Sequence, residues 1–295
     1  QEEIIMIGIS IVIVNYKSWY HLGKCLDSIL NQKNVKHEII VVDNNSNDNT
    51  INEFKAKYSS VKWIINSENL GFSRACNIGA SNVKHDWVLF LNPDTEIPKN
   101  CFSSLMVKAN KISDTIFSIK QLNENNKDSY AYGTFLNMYT LNGIQRFFHR
   151  LFNGKTKSRL SRLTSFSPDW VSGSFLLIKK KDYDKLGGWD EDFWMYYEDM
   201  DICKRAKSFN MNTIFYNDLY CYHFHGKSSR KDFNTKIQSK VQVIKSSLIY
   251  INKHYNGIQA KILSFSILFS VFIELIIMSP FSKEKRNILQ KILKN

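Results

Sequence analysis

The chain has 295 residues, of which 43% are hydrophobic and 14% aromatic, and its 40 Lys and Arg against 27 Asp and Glu give a net charge of +13. The hydrophobic content excludes a disordered chain, and 4 Pro with 12 Gly exclude a collagen-like or linker-dominated one. The excess of positive charge favours an anionic partner, which is nucleic acid, an acidic membrane surface or a phosphorylated ligand.

The five cysteines are scattered and form no CxxC pair. This pattern argues against a disulfide framework and a cysteine-built zinc site, and it suits a reducing cytosol. The N-terminal Gln1-Glu2-Glu3 carries two acids where a signal peptide would be basic, so we interpret Ile4–Val14 as a first strand.

The first hundred residues alternate short apolar runs with helical patterns. The predicted strands are Ile9–Val14, Ile39–Val42, Val61–Ile65 and Trp87–Leu91. The first predicted helix has Ser18 as its N-cap and an apolar face of Leu22, Cys25, Leu26, Ile29 and Leu30. The second carries Ile51, Phe54 and Tyr58 on one side, and the third spans Ser73–Asn82. This alternation predicts an α/β fold with βαβ units and a mostly parallel sheet.

Polar residues follow each of the four strands. They are Asn15, Asp43-Asn44-Asn45, Asn66 and Asn92-Pro93-Asp94. Because the carboxyl ends of parallel strands form the ligand crevice of such sheets, the four ends together indicate a site. Asn and Asp also simply begin loops, which is the alternative for any one of them.

Glycine-rich phosphate loops are missing from this sequence. No GxxxxGK[ST] or GxGxxG follows the first strand, where Asn15-Tyr16-Lys17 stands instead. Kinase-like, P-loop and dinucleotide-dehydrogenase functions are therefore excluded.

Periodicity weakens over residues 101–168. The stretch 146–162 holds six Lys and Arg and no acid, so it is either a solvated loop or a surface that faces an anion or a membrane. No RNA-binding or helix-turn-helix signature occurs, so we expect no nucleic-acid partner. Further on, we predict a strand over Trp170–Ile178, a turn over Lys185–Trp189 and a helix over Glu198–Phe209.

An apolar segment near the C-terminus, Ile262–Met278, is 17 residues long and interrupted by three Ser and a Glu. It is shorter than the roughly 20 residues of a spanning helix. Five cations follow it: Lys283, Lys285, Arg286, Lys291 and Lys294. We interpret it as an in-plane anchor on an anionic leaflet, the alternatives being a core helix and a true span.

Carboxylates and one histidine are candidates for chemistry. Asp94 follows a buried strand, where it could hold a hard divalent cation that bridges a diphosphate. The segment Asp190–Asp201 contains six acids and no cation, interleaved with aromatic residues that could stack on a sugar. Helix capping explains Asp190, and an i,i+4 pair with Arg205 would explain Asp201. His223 is a candidate metal ligand or phosphate contact.

Seven sequence blocks together resemble the family-2 nucleotide-sugar glycosyltransferases of the GT-A fold, in the rhamnosyltransferase-like branch of bacterial surface-polysaccharide enzymes. They are ISIVIVNY, EIIVVDNNSND, NLGFSRACNIG, LFLNPDTE, WVSGSFLLIKK, GGWDEDFWMYYEDMDICKR and HFHGKS, within residues 8–230. The resemblance implies a Rossmann-like, mostly parallel mixed sheet flanked by helices, with a C-terminal helical extension. It divides the chain into a nucleotide-sugar half (1–100), an acceptor and catalytic half (101–230) and the extension (231–295).

The resemblance also implies roles for individual residues. Asn15 and Asp43 would contact the nucleoside, and Asn69, Arg74 and Asn77 would border the phosphates. Asp94 matches the metal-binding carboxylate, with Asn92 where a first carboxylate often stands, and His223 is a distal metal or diphosphate contact. The sugar and acceptor pocket would be shaped by Trp170, Gly173, Trp189, Asp190 and Glu191. Glu198 and Asp199 match the acidic pair, with Asp199 as catalytic base.

The activity implied is inverting transfer of a sugar with Mg²⁺ or Mn²⁺ as cofactor. The donor would be a nucleotide sugar, dTDP-rhamnose in the first place and UDP-galactofuranose or a UDP-hexose in the second, and the acceptor a saccharide or a lipid-linked saccharide. The expected location is the cytoplasmic face of the bacterial membrane, bound peripherally to its anionic surface. A catalytically silent saccharide- or nucleotide-binding protein is the alternative of another class.

Overall fold

The protein is an α/β protein whose computed structural model describes residues 7–129, 131–136, 160–224 and 233–293. These residues form two compact units. The first unit contains the described residues up to 134, together with 164–191 and 198–224. The second contains 135–136, 160–163, 192–197 and 233–293.

The first unit is built on a mixed sheet. Its strands are β1 (Gly8–Asn15), β2 (Lys36–Asp43), β3 (Lys62–Ile65), β4 (Trp87–Leu91), β5 (Thr95–Glu96), β6 (Thr115–Leu122), β7 (Tyr132–Gly133), β8 (Ser165–Phe166), β9 (Trp170–Val171), β10 (Phe175–Lys179) and β11 (Asn212–His223). Its helices are α1 (Trp19–Leu30), α2 (Thr50–Lys57), α3 (Phe72–Ala80), α4 (Cys101–Ala109), α5 (Lys180–Lys185) and α6 (Glu198–Ser208).

The strand order in the main sheet is β3-β2-β1-β4-β10-β6-β11-β5, and β8 also pairs with β11. The first four strands in this order are mutually parallel, and so are β6 and β11, whereas β10 runs antiparallel to both of its neighbours. Strands β7 and β9 form a separate two-stranded sheet. The predicted α/β fold with a mostly parallel sheet is therefore confirmed.

The core forms because β1 is a run of β-branched residues that is buried on both faces. Ile9, Ile11 and Ile13 pack in one cluster with the apolar side of α1. Helix α3 lies against the sheet at Gly79, where a Cβ atom would come within 2.3 Å of Val12 Cγ1. Glycine at this position permits the close approach of α3 to the sheet.

Several predicted elements differ in detail from the structure. Ser18 lies at the N-cap of α1, but its side chain makes no capping hydrogen bond, and Leu30, predicted to be on the buried face, is exposed. The predicted strand Trp170–Ile178 is wrong as a single element. It is broken at residues 172–174, because the Gly173 N–H bonds to the Asp199 side chain and the Ser174 N–H to the Ser172 hydroxyl instead of to the backbone of a neighbouring strand.

The cysteines agree with the expectation of a reduced protein. All five are buried and carry free thiols. Burial raises the pKa of the Cys25, Cys101 and Cys203 thiols to about 12. These side chains are therefore inert packing groups.

The second unit contains α7 (Phe233–His254), α8 (Gly257–Met278) and α9 (Lys283–Leu293). Leu275 of α8 packs with Ile237 and Val241 of α7 and with Ile288 of α9. Glu284 of α9 accepts hydrogen bonds from Lys236 and Lys240 of α7. These contacts hold the three helices together.

Helix α8 is longer than the sequence predicts, because it begins at Gly257 and so has 22 residues. Among the described residues it is the helix that is long and apolar enough to cross a membrane, with a mean hydropathy of 2.1 in its most apolar window. Only 17% of that window is buried. The alternative of a buried core helix therefore does not fit α8. The basic stretch predicted at 146–162 lies outside the described residues as far as residue 159, as do Lys294 and the end of the HFHGKS block.

Candidate active site

Asn15 and Asp43 meet where β1 and β2 end. They occupy matching positions in the parallel register, and Asn15 Nδ2 donates to Asp43 Oδ1 over 2.9 Å. Ser46 donates its backbone N–H to Asp43 Oδ2 over 3.0 Å and its hydroxyl to Oδ1 over 2.5 Å. Both Asn15 and Asp43 are buried, so the carboxylate is fixed in position by these donors.

A cavity of about 240 Å³ opens beside Asp43. Its lining includes Asn45, Asp48, Ile51 and Ile65. The left-handed conformation of Asn45 (φ 63°) turns the chain after β2 and so shapes this cavity. A concave site with polar groups at the end of a parallel strand suits a small polar ligand.

The loop before α3 is held by asparagine side chains. Asn44 Nδ2 donates to Asn69 Oδ1 over 2.9 Å, and the Gly71 N–H donates to the same oxygen over 3.1 Å. Asn66 Nδ2 donates to Asn44 Oδ1 over 3.0 Å. The contacts of Asn69 thus position the start of α3.

Arg74 and Asn77 of α3 bind the turn that contains Trp189 and Glu191. Arg74 Nε lies 2.8 Å from Glu191 Oε2, and Asn77 Nδ2 lies 2.9 Å from Glu191 Oε1. The hydrogen bond from Asn77 is the main reason that the pKa of Glu191 is lowered. Gly188 has a φ of 76°, and a Cβ atom there would come within 2.8 Å of Asn77 Oδ1, so the turn requires glycine at this position.

The aromatic residues predicted for the sugar pocket are differently placed. Trp189 is 1% exposed and packs edge-on against Phe72 and Phe90, so it supports the turn from behind and offers no free ring face. Trp170 packs over Gly133 and donates its indole N–H to the Thr134 carbonyl over 3.0 Å. Asp190, between Trp189 and Glu191 in the turn, is half-buried.

Asp94 and His223 are brought together from 129 positions apart in the chain. Thr95 of β5 pairs with His223 of β11, and the Phe224 N–H donates to the Asp94 carbonyl over 2.9 Å. His223 Nε2 lies 3.3 Å from Asp94 Oδ1 and 3.4 Å from Asn92 Nδ2. Both Asp94 and His223 are buried.

The Asp94–His223 pair fits a divalent cation bound together with a substrate. Among the described residues there is no group of three His, Cys, Asp or Glu side chains that could hold a metal by itself. One or two protein ligands completed by substrate phosphates are, however, the usual arrangement for Mg²⁺. A carboxylate oxygen and an imidazole nitrogen 3.3 Å apart can both contact one such ion, whose bonds are about 2.1 Å long.

Glu198 and Asp199 begin helix α6. Asp199 Oδ1 accepts the Met200 N–H over 2.8 Å, and Asp199 Oδ2 accepts the Gly173 N–H over 3.4 Å. Burial raises the pKa of Asp199 to about 6. Burial, and then the neighbouring Asp199 carboxylate, raise the pKa of Glu198 well above its ordinary value. A carboxylate with a pKa near 6 is suited to take a proton close to neutral pH.

Asp201, the last acid of this segment, forms a structural ion pair. Asp201 pairs with Arg205 over 2.7 Å, which confirms the i,i+4 pair expected from the sequence. Arg205 also donates to the carbonyl oxygens of Leu186 and Gly188. The pair therefore fastens α6 to the turn before Trp189.

The segment 172–174 connects the acidic pair with the Asp94–His223 pair. The Gly173 N–H faces Asp199, the Ser174 carbonyl accepts the Asn92 N–H over 3.0 Å, and the Ser174 hydroxyl donates to Gln121 over 3.0 Å. Gln121 Oε1 in turn lies 2.7 Å from His223 Nδ1. Gln121 and Ser174 were not predicted as site residues, although a polar residue near the end of a buried strand is a signal that could have found Gln121.

Comparison with known proteins identifies the family. The model of "Glycosyl transferase family 2" matches residues 10–187, more than half of the chain. The chain belongs to this family. It is therefore a family-2 glycosyltransferase, and the mixed sheet described above agrees with the GT-A fold that its sequence resembles.

Two relatives are rhamnosyltransferases that match over most of their length. Rhamnosyltransferase WbbL of Escherichia coli K12 is 23% identical over 276 residues, which cover 85% of this chain and 97% of that protein. The N-acetylglucosaminyl-diphospho-decaprenol L-rhamnosyltransferase of Mycobacterium tuberculosis H37Rv is 20% identical over 263 residues, which cover 84% of this glycosyltransferase and 85% of that protein.

Solved structures share the fold at low sequence identity. Staphylococcus aureus TarS 1–349 in complex with UDP-GlcNAc has a TM-score of 0.55 at 18% identity, covering 90% of this chain and 73% of that one. The Pyrobaculum calidifontis mannosyltransferase PcManGT, in complex with GDP-Man and Mn²⁺, has a TM-score of 0.57 at 14% identity, covering 97% and 79%.

Proposed function

We propose that this glycosyltransferase moves rhamnose from dTDP-rhamnose to a saccharide or lipid-linked acceptor in the synthesis of a bacterial surface polysaccharide, with inversion at the anomeric carbon. The observation that carries the proposal is the segment 172–174, through which Asp199 is linked to the Asn92, Asp94 and His223 cluster. The two rhamnosyltransferase relatives support rhamnose as the donor sugar.

In the proposed site, different groups of residues bind the nucleoside and the diphosphate of the donor. Asn15 and Asp43, beside the cavity, bind the nucleoside. Arg74 and Asn77 border the site of the diphosphate. Asn69 supports this site through its contacts in the loop before α3. Residues 1–100 thus serve as the nucleotide-sugar half, 101–230 as the acceptor and catalytic half, and 231–295 as an extension.

Asp94 and His223, with Asn92 beside them, are the residues that would hold Mg²⁺ or Mn²⁺. When bound, the cation supplies positive charge that stabilises the diphosphate as it leaves. The carboxylate of Asp199 accepts the proton of the acceptor hydroxyl while the hydroxyl oxygen attacks the anomeric carbon of the donor and the nucleoside diphosphate leaves. Burial and the neighbouring Asp199 carboxylate raise the pKa of Glu198, which disfavours a second negative charge next to that base.

Binding of a panel of donors tests the function. We expect dTDP-rhamnose with Mn²⁺ to raise the melting temperature of the protein most, and slow release of dTDP to follow. A larger rise in melting temperature with UDP-galactofuranose or a UDP-hexose would make that compound the proposed donor, and the proposed reaction would still be glycosyl transfer. Binding without turnover of any donor, with or without a bacterial lipid extract as acceptor, would contradict the proposed activity.

We also propose that α8 lies in the plane of an anionic membrane surface. Its exposed apolar residues include Ile258, Phe265, Phe269 and Phe272, and Phe281 follows it at 85% exposed. At about 1.5 Å per residue, 22 residues reach about 33 Å, so length alone would allow a span. The ion pairs beside its C-terminal third favour the in-plane arrangement.

A spanning α8 would carry the charges of these ion pairs into the hydrocarbon of the membrane. Glu274 of α8 pairs with Lys285 of α9, and Glu284 of α9 pairs with Lys236 and Lys240 of α7. Charges at membrane depth are costly. At the interface the same charges remain near water, and Lys283 and Arg286 can meet anionic headgroups.

Replacing Phe265 and Phe281 together by Ser should weaken binding to vesicles. Since burying each Phe contributes about 1.5–3 kcal/mol, we expect the partition coefficient on phosphatidylglycerol vesicles to fall by at least about a hundredfold. Val107→Ser, an exposed apolar residue of α4, is the matched control. An unchanged partition coefficient of the double variant would contradict α8 as the anchor and favour the basic stretch 146–162.

A further inference from the structure

Gln121 is a buried amide in the middle of the proposed metal site that belongs to none of the seven sequence blocks. It lies near the end of β6 and is 1% exposed. Its Oε1 atom is 2.7 Å from His223 Nδ1 and 3.0 Å from Ser174 Oγ. Two polar groups therefore converge on one carbonyl oxygen.

The fold brings these three residues together from three adjacent strands. Gln121 of β6 pairs with Cys221 of β11, and His223 follows two positions later, so Gln121 and His223 are on the same side of the sheet. Ser174 comes directly before β10, the other neighbour of β6. The contact is thus a product of strand order and register.

Hydrogen-bond directions follow from the chemistry of each group. A carbonyl oxygen can only accept, so the Ser174 hydroxyl and the His223 Nδ1–H both donate to Gln121 Oε1. Ser172 Oγ lies 2.9 Å from Ser174 Oγ and extends the chain of hydroxyls. A neutral imidazole has one N–H, so His223 Nε2 is left with a lone pair.

His223 Nε2 lies on the side of the ring that is next to Asn92 and Asp94. His223 Nε2 is 3.3 Å from Asp94 Oδ1, and the Asn92 amide nitrogen is 3.4 Å away. A lone pair and a carboxylate oxygen that face each other repel unless a positive charge lies between them. Histidines that bind metals commonly donate their other N–H to a carbonyl or carboxylate, which fixes the tautomer.

We propose that Gln121, supported by Ser174, is a positioning residue that holds His223 as the Nδ1–H tautomer, so that Nε2 is ready to bind a divalent cation together with Asp94. This inference rests on the proposed function for the identity of the cation. In this proposal Gln121 does not bind the substrate or the metal itself. It acts through the orientation and tautomer of His223.

The tautomer can be measured in the metal-free protein. The full chain is labelled with ¹⁵N-histidine and kept in EDTA at pH 8, and long-range ¹H–¹⁵N spectra are compared with those of His223→Gln to assign the His223 signals. We expect a protonated Nδ1 and an unprotonated Nε2. The opposite tautomer, which a Gln121 amide group donating to Nδ1 would produce, or a doubly protonated ring would overturn the proposal.

Two Gln121 variants test the consequence for metal binding. Gln121→Leu removes the acceptor, and we expect Mn²⁺ to bind roughly 10–100-fold more weakly by electron paramagnetic resonance in the presence of dTDP. Gln121→Glu keeps an acceptor oxygen, so its Kd should stay within about threefold of the wild-type value. Wild-type Mn²⁺ affinity in a folded Gln121→Leu would overturn the proposal.

The outcomes separate this inference from the proposed function. If Gln121→Leu does not fold, the proposal is tested by the His223 tautomer of the wild-type protein and by the Kd of Gln121→Glu for Mn²⁺. A Kd of Gln121→Glu far above the wild-type Kd contradicts the proposal. If the wild-type protein shows the expected tautomer but no Mn²⁺ binding with any nucleoside diphosphate, the metal site of the proposed function fails. The positioning of His223 by Gln121 then stands.

Discussion

Replacing Asp199 with Asn is expected to lower kcat by about three orders of magnitude, because a positioned general base contributes roughly 10²–10⁴-fold and an amide cannot accept the proton of the acceptor hydroxyl. The substitution keeps the shape of the side chain. The proposed nucleoside contacts are Asn15 and Asp43, so the Kd of dTDP-rhamnose should change by less than about threefold. Single-turnover kinetics and calorimetric titration measure the two quantities.

Asp184→Asn is the matched control for this experiment. Asp184 is an exposed carboxylate of α5 that pairs with Lys180, and losing such a pair costs about 0–1 kcal/mol of stability. We expect it to leave kcat unchanged. Turnover of Asp199→Asn at the rate of this control would remove Asp199 as the base.

The pH profile of the wild-type enzyme gives an independent view of the same group. Burial raises the pKa of Asp199 to about 6, so the carboxyl is protonated and inactive below that pH and becomes a base above it. We therefore expect kcat/KM to fall about tenfold for each pH unit below 6. Because Glu198 and Asp199 are neighbours, the apparent pKa in the profile belongs to both carboxyls together. The other charged or titratable groups nearby are Asp201 and Arg205 of the same helix and the thiols of Cys76 and Cys203.

Replacing Asp94 with Asn should be the second most damaging change. It removes the carboxylate beside His223, and at a Mn²⁺ concentration that saturates the wild-type enzyme we expect kcat/KM to fall about 10²–10³-fold, since charge stabilisation by a metal supplies several kcal/mol. The Kd of Mn²⁺ in the presence of dTDP should rise in parallel. Added Mn²⁺ should restore part of the lost activity.

An exposed aspartate again provides the control. Asp128 pairs with Lys120 on the surface, and Asp128→Asn should retain the wild-type Kd for Mn²⁺. Full activity of Asp94→Asn in EDTA would show that the reaction does not use a metal held at this position. It would leave Asp94 as a structural residue that binds the Phe224 amide through its backbone.

The fold of the first hundred residues could be predicted because local pattern and tertiary environment agree there. The β-branched run of β1 is buried on both faces, and the predicted strand Trp87–Leu91 has the same bounds in the structure. The proximity of the strand-end residues Asn15 and Asp43 could be predicted because neighbouring parallel strands end at the same edge of the sheet.

The break at residues 172–174 could not be predicted, because it depends on groups distant in the sequence. Gly173 faces Asp199 and Ser174 faces Gln121, and neither contact leaves a signal in the local apolar pattern. The burial of Trp189 is a similar case. Its acidic neighbours suggest an exposed sugar platform, whereas Phe72 and Phe90 place it in the interior. Both differences reflect tertiary packing that overrides a local pattern.

The anomeric configuration of the first product tests the central claim most directly. When the wild-type protein with Mn²⁺ hydrolyses its best donor slowly in the absence of an acceptor, ¹H NMR can follow the sugar before it mutarotates. One-step displacement with Asp199 as base predicts that the first sugar formed has the configuration opposite to that in the donor. Release of sugar with the donor's configuration would contradict the account.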